Sequence, residues 1–219
     1  MLKKKRRKQP VPPLLRDGRI IVVVGSTGSG KSQWVRQQIK TAPRLWVWDV
    51  KPEYHALRGT LIVRTRAHLL ALAQVEIKQR VLFVVPPTPA NFEWWARCAY
   101  LAARIKPITV VAEEIADVTS PGKAPLHWGQ LVRKVRATGS DLYAITQRPA
   151  ESDKTAIGNA SLFHVGRISR KKDRVYMAAE LDIKESALAA LTSDETGAYY
   201  IEKNTLNLKI TRGRITFKK

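Results

Sequence analysis

Short apolar runs of Val, Ile and Leu alternate along the chain with longer stretches whose apolar positions recur every three or four residues. The runs at 19–24 (RIIVVV), 44–49 (RLWVWD), 60–63 (TLIV), 80–85 (RVLFVV), 108–112 (ITVVA) and 141–146 (DLYAIT) read as strands. Between them, 31–41, 66–78, 90–105 and 126–137 read as helices. In the last of these, at about 100° per residue, Trp128, Leu131, Val132 and Val135 share one arc, while Arg133 and Arg136 fall on the exposed side. In 90–105, Phe92, Trp95, Ala99 and Ala102 share a face suited to core or to a subunit interface. Unbroken apolar strands separated by helices predict an α/β fold, a mainly parallel sheet covered on both faces. Past residue 160 the pattern changes. LFHVGRI reads as a further strand, 170–180 and 184–191 as helices, and AYYIE, LNLKI and RITF as antiparallel strands near the C-terminus.

Charge narrows the choice of partner. The 219 residues carry 39 Lys and Arg against 18 Asp and Glu, a net charge of +21. Lys3, Lys4, Lys5, Arg6, Arg7 and Lys8 form one block, and 209–219 hold further cations with no acid, yet the rest of the chain keeps an excess of about ten. A body this basic predicts a polyanionic partner, with nucleic acid the leading choice and salt-sensitive affinity. The stiff PVPP stretch after the block suggests a basic flexible arm over 1–17, a motor domain over 18–204 and a basic strand or tail over 205–219. A nuclear import signal has the same composition as the arm. The single cysteine, Cys98, excludes an intrachain disulfide, and the four histidines lack ligand spacing. No apolar run approaches the 18 or so residues that span a bilayer, and no apolar stretch follows the basic block as in a secretory signal. The expectation is a soluble, non-secreted protein without a transmembrane segment.

The chemistry enters at 25–32, GSTGSGKS, which satisfies G-x-x-x-x-G-K-[ST] between a buried strand and a helix. Gly25, Ser26, Thr27, Gly28, Ser29 and Gly30 would curl their backbone N–H groups around a phosphate chain, at the positive end of the helix. Lys31 would reach the β- and γ-phosphates of ATP, and Ser32 would ligate Mg2+. Glu113 and Glu114 end the strand ITVVA. The first would hold the magnesium's water shell and the second would act as general base toward water. Gln147, at the end of DLYAIT, would sense the γ-phosphate or orient the water.

In this order the motifs resemble the FtsK/HerA superfamily of DNA-translocating ATPases. GSTGSGKS is similar to that family's phosphate loop, and WDVKPEY (48–54) to its second strand with the acidic-Tyr pair. VVAEEIADV resembles its acid strand, VRATGSDLYAITQRPA its Arg-Ala-x-Gly turn and Thr-Gln-Arg-Pro strand, and VGRISRKKDR a later arginine segment. The resemblance implies a RecA/FtsK-like P-loop fold and a hexameric or pentameric homo-oligomeric ring. In such a ring a neighbour's arginine completes each site; Arg136 is the first choice, with Arg148 and Arg167 as alternatives. The loop DVTSPGKAP, with Lys123 at its centre, would face a DNA channel or serve only as a connector.

Two features depart from the family. Glu113 stands where Asp is usual, and little accompanies the motor. That minimal plan is most similar to the genome-packaging ATPases of tailless, membrane-containing double-stranded DNA viruses. The implied function is ATP-driven translocation of double-stranded DNA during packaging, in host cytoplasm or at a virion vertex, with capsid or portal proteins as partners. Two alternatives are an assembly or export ATPase acting on single-stranded DNA, and a nucleotide-switched DNA-binding module without significant turnover.

Overall fold

The computed structural model describes residues 17–217; the cation block at 3–8 lies outside them. Strands β1 (Ile20–Val24), β2 (Leu45–Trp48), β4 (Arg80–Phe83), β5 (Thr109–Ala112), β6 (Asp141–Thr146) and β7 (Leu162–Val165) run parallel in one sheet, with β3 (Thr60–Val63) at one edge. Beyond β7 the sheet turns antiparallel through β9 (Gly197–Asn204) and β10 (Ile210–Thr216), with the two-residue β8 (Ser193–Asp194) beside β9. The spatial order is β10-β9-β7-β1-β6-β5-β2-β4-β3.

Every residue of β1 and β2 is buried, because helices cover both faces, and alternate side chains divide between two cores. Ile20, Val22 and Val24 pack toward α3 (Pro89–Ile105), α4 (Leu126–Lys134) and α6 (Lys171–Leu181). Ile21 and Val23 pack toward α1 (Lys31–Ile39) with Ile215 of β10. The aromatic face of α3 belongs to the core. Phe92 lies 5.1 Å from Trp128 and 5.6 Å from Trp95 between ring centroids, and all three are fully buried. The arc of Trp128, Leu131, Val132 and Val135 is buried as its spacing predicts.

Some expectations change. The helix over 66–78 stops at Ala73 as α2 (Arg66–Ala73), and the one over 126–137 ends at Lys134 and tightens into a 3-10 turn, Arg136–Thr138. That turn brings Arg136 back to the start of β1, so it is half-buried rather than exposed: its Nε donates to Gly18 O at 3.2 Å. LNLKI (206–210) is not a strand of its own: its first four residues form the bend of the β9–β10 hairpin and Ile210 begins β10. Asn204 Oδ1 accepts from Leu206 N at 2.9 Å and Asn207 Oδ1 from Lys209 N at 3.0 Å, local bonds that take the backbone away from a ladder. The hairpin ties part of the expected tail into the sheet. Two short helices, α5 (Lys154–Gly158) and α7 (Glu185–Ala189), complete the described elements; the second matches 184–191.

Gly18 is fixed where β1 begins. Its N–H donates to Arg136 O at 3.0 Å, and a Cβ there would fall 1.8 Å from Ser140 O. The chain has no flexible side chain to move aside at that contact. Gly18→Ala is expected to cost about 1–3 kcal/mol or more, since overpacking forces backbone shifts. Thermal unfolding should report a fall of about 2–4 °C for each kcal/mol; an unchanged midpoint would contradict the packing.

His164 of β7 is buried, stacked 4.0 Å from the ring of Trp34 and 4.6 Å from Tyr200. Burial lowers its pKa, against the opposing pull of Glu202, whose carboxylate lies 2.9 Å from Nδ1. A neutral ring donating from Nδ1 satisfies that contact and leaves Nε2 bare, which is the buried atom without a partner. The folded state therefore resists protonation, while the unfolded chain takes a proton near pH 6.5. Stability from this site is fully present above that pH and is lost as pH falls below it. Denaturation of wild type and His164→Gln between pH 7.5 and 5 should show a shallower acid loss in the variant.

Candidate nucleotide site

Parallel strands deliver their C-terminal ends to one edge of the sheet, where loops from β1, β6, β5 and β2 converge. After β1 the chain turns through Gly28 (φ 77°) and Gly30 (φ 82°), a left-handed conformation natural to glycine. Gly30 caps α1 with no side-chain bond, so the first N–H groups of that helix are left for a ligand. The loop is held from outside: Ser26 N donates to Arg167 O at 2.8 Å, and Ser169 N to Ser26 Oγ at 2.9 Å. Ser29 Oγ is buried without a partner.

Lys31 is buried, and its Nζ donates to Gly25 O at 2.6 Å and Ser26 O at 3.3 Å. Burial lowers its pKa; the charges of Glu114 and then Glu113 oppose that. These carbonyl bonds hold the ammonium at the loop, in position to exchange a backbone oxygen for a phosphate oxygen.

The two acids part company after β5. Glu114 adopts a left-handed backbone (φ 47°), strained for a residue with a side chain by about 1–3 kcal/mol. Its carboxylate accepts from Gln147 Nε2 and lies 3.5 Å from Lys51 Nζ. Gln147 Oε1 in turn accepts from Thr27 Oγ1 at 2.9 Å, so one amide joins the acid to the glycine loop. Glu113 points elsewhere. Its carboxyl is buried against Tyr54, whose hydroxyl donates to it, and burial raises its pKa to about 8 with the Tyr54 bond opposing. Asp49, also buried, is raised to about 6 by desolvation, with His55 3.4 Å away.

A cleft of about 360 Å³ joins these groups, lined by residues 27–33 with Lys51, Glu53, Glu114, Gln147 and Phe217. Larger grooves of about 690 and 520 Å³ lie against α6, α7 and the β9–β10 hairpin, but they contain neither the glycine loop nor the acid–amide pair. The donor set suits a magnesium–triphosphate: bare helix N–H groups, a lysine, a serine hydroxyl and carboxylates opposite. Ser32 is in the cleft as expected for a metal ligand. Glu113 is not, because the bend at Glu114 leaves it facing Tyr54; the acids lining the cleft are Glu114 and Glu53. Among the described residues no cluster of three or more His, Cys, Asp or Glu has metal-binding spacing, and no helix is long and apolar enough to cross a membrane.

The arginines divide by position. Arg136 sits at the start of β1, the length of that strand (about 17 Å) from its own phosphate loop. Arg148 is exposed just past Gln147, with Nη1 3.5 Å from Glu151. Arg167 lies on its own loop, Nη2 donating to Thr27 O at 3.0 Å and Nε to Ser193 Oγ at 3.0 Å. Lys123 is exposed in the connection between β5 and α4, whose start is pinned where Asp153 N donates to Thr119 Oγ1 at 3.1 Å. Lys51, Glu53 and Tyr54 carried a signal only as part of WDVKPEY. Phe217 carried none, since its place depends on the pairing of β10 with β9.

No protein-family model matches the chain. Protein P9 of Pseudoalteromonas phage PM2 is 33% identical over 199 residues, spanning 86% of this chain and 90% of that protein. The genome packaging NTPase B204 of Sulfolobus turreted icosahedral virus 2, solved with AMPPCP, aligns at a TM-score of 0.72 and 15% identity over 91% of this chain and 98% of its own. The pCW3 conjugation coupling protein TcpA aligns at 0.53 and 19% identity, over 93% of this chain and 62% of its own. At these identities the solved structures establish the fold. The chain belongs to the family of Protein P9 of phage PM2, and its mainly parallel sheet flanked by helices is the fold it shares with B204.

Proposed function

We propose that this protein is an ATP-hydrolysing translocase of double-stranded DNA that packages a viral genome. The observation that carries the reading is the cleft where the glycine loop, Lys31, Ser32 and the Glu114–Gln147 pair meet. On binding ATP, Lys31 exchanges its bond to Gly25 O for the β- and γ-phosphates, and the free N–H groups of α1 take the remaining oxygens. Ser32 would hold Mg2+, which when bound would supply positive charge to the phosphates. Glu114 accepts the proton of the attacking water at its carboxylate, and Gln147 reports the state of the glycine loop to that acid through Thr27. Glu113 braces the acid strand through its bond with Tyr54.

In a hexameric or pentameric ring, Arg136, Arg148 and Arg167 are the candidates to enter a neighbour's cleft, with Arg148 exposed just past Gln147. Arg167 serves its own loop, and Arg136 acts at the far end of the sheet. Lys123 and the basic block at 3–8 are the candidate DNA contacts. Capsid or vertex proteins are the further partners, and the virion packaging vertex is the place of work. The shared fold with B204, a genome packaging NTPase, supports this reading.

The test is ATPase rate with double-stranded, single-stranded or no DNA over a salt series. Stimulation by duplex, with affinity falling steeply as salt rises, is expected. Stimulation by single strands alone would favour an export ATPase. Nucleotide-dependent DNA binding without turnover would favour a switch, the reading to which the buried Glu113 lends most weight.

A further inference from the structure

Phe217 follows the last strand and belongs to no motif, yet among the described residues it is the one aromatic side chain lining the cleft. Its place is fixed by the sheet: β10 pairs Thr216 with Gly197, and Phe217 N donates to Thr196 O at 2.9 Å. The ring edge rests on the N-cap of α1. A Cβ built on Gly30 would lie 3.1 Å from Phe217 Cε1 and 3.2 Å from Ile215 Cδ1. The ring therefore stands beside the turn whose N–H groups face a phosphate chain. It is only half-buried, and among the described residues no aromatic ring or cation stacks on it. An apolar ring left open on the wall of a polar cleft is a surface without an occupant.

The layout of the cleft supplies the occupant. Glu114, Gln147 and Thr27 mark the end where the terminal phosphate reacts. Gly30, Ser32 and Gln33 line the same cleft as Phe217, whose ring sits against Gly30 at the start of α1. We propose that Phe217 is the base-stacking wall of the site, with the nucleobase of a bound nucleoside triphosphate lying on its ring. The proposal rests on the phosphate-loop reading above. Stacking recognises the flat face that every base has, not its hydrogen-bonding edge. The amide of Gln33, which also lines the cleft, has its oxygen engaged by Arg36 Nη2 at 3.3 Å. The site should thus separate nucleotides from bare polyphosphate much more sharply than it separates ATP from GTP.

The experiment uses the full chain with Mg2+ and measures binding of ATP, GTP and inorganic tripolyphosphate to wild type, Phe217→Ala, Phe217→Leu and Phe217→Trp. Loss of one stacked base is worth on the order of ten-fold in affinity. The Ala and Leu variants should therefore bind ATP and GTP roughly ten-fold more weakly while tripolyphosphate binding stays unchanged. Leu keeps the apolar packing on Gly30, which guards against a folding defect in the Ala variant. The Trp variant should keep ATP affinity and show an added fluorescence change with ATP but not with tripolyphosphate. The proposal fails if the Phe217→Leu variant binds ATP as wild type does, or if it loses ATP and tripolyphosphate equally. Wild type binding neither compound would instead bring down the phosphate-loop reading, and this proposal with it.

Discussion

Lys31→Ala is expected to abolish ATP hydrolysis, with turnover falling by at least about 10²-fold, the scale set by removing one preorganised charge from a reacting centre. The side chain is buried, and its ammonium is aimed by Gly25 O and Ser26 O into the loop. Among the described residues no other cation replaces it there. Lys51 stands across the cleft beside Glu114, and Arg167 is committed to Thr27 O and Ser193 on the outside of the loop. The variant should fold, because removing a desolvated charge relieves a penalty that partly offsets the lost bonds. Steady-state ATPase assays alongside thermal unfolding separate the two effects. Wild-type turnover in a folded Lys31→Ala protein would remove the loop from the mechanism.

Glu114→Gln is expected to lower hydrolysis by about 10²- to 10⁴-fold, the usual weight of a positioned general base, while leaving ATP binding near wild type. The substitution keeps the shape of the side chain and removes its capacity to take a proton. The amide of Gln147 then faces another amide instead of a carboxylate, so the link to Thr27 survives in form. Glu113→Gln is the informative partner. Tyr54 can donate to a glutamine oxygen as well as to a carboxyl, so this variant should retain much more turnover than Glu114→Gln. Single-turnover hydrolysis measured with nucleotide binding distinguishes them. A reversed order of severity would exchange the roles of the two acids.

The phosphate loop and the parallel sheet were legible because each depends on local chemistry: glycines at left-handed positions, unbroken apolar runs, a lysine at the first turn of a helix. The strand ends fell within a few residues for the same reason. The division between Glu113 and Glu114 was not legible. It turns on a positive φ at a glutamate and on Tyr54, 59 residues away, supplying a donor. Arg136 read as exposed on a helical wheel because the wheel assumes that the helix continues; the chain instead tightens after Lys134. LNLKI alternates like a strand, yet two asparagines bond their own backbone and make its first four residues a bend. Phe217 reaches the cleft only through the register of a hairpin, which no window of neighbouring residues contains.

The sheet order also bears on how the protein is made. The two neighbours of β1, β6 and β7, are synthesised more than 100 residues after it, and Ile215 and Phe217, which close over Gly30, later still. The phosphate loop is thus translated long before anything exists to hold it. Pairing at such sequence separations folds slowly. A nascent chain of this protein would carry an unfinished site until the β9–β10 hairpin is made, and nucleotide binding would begin only after that hairpin has paired.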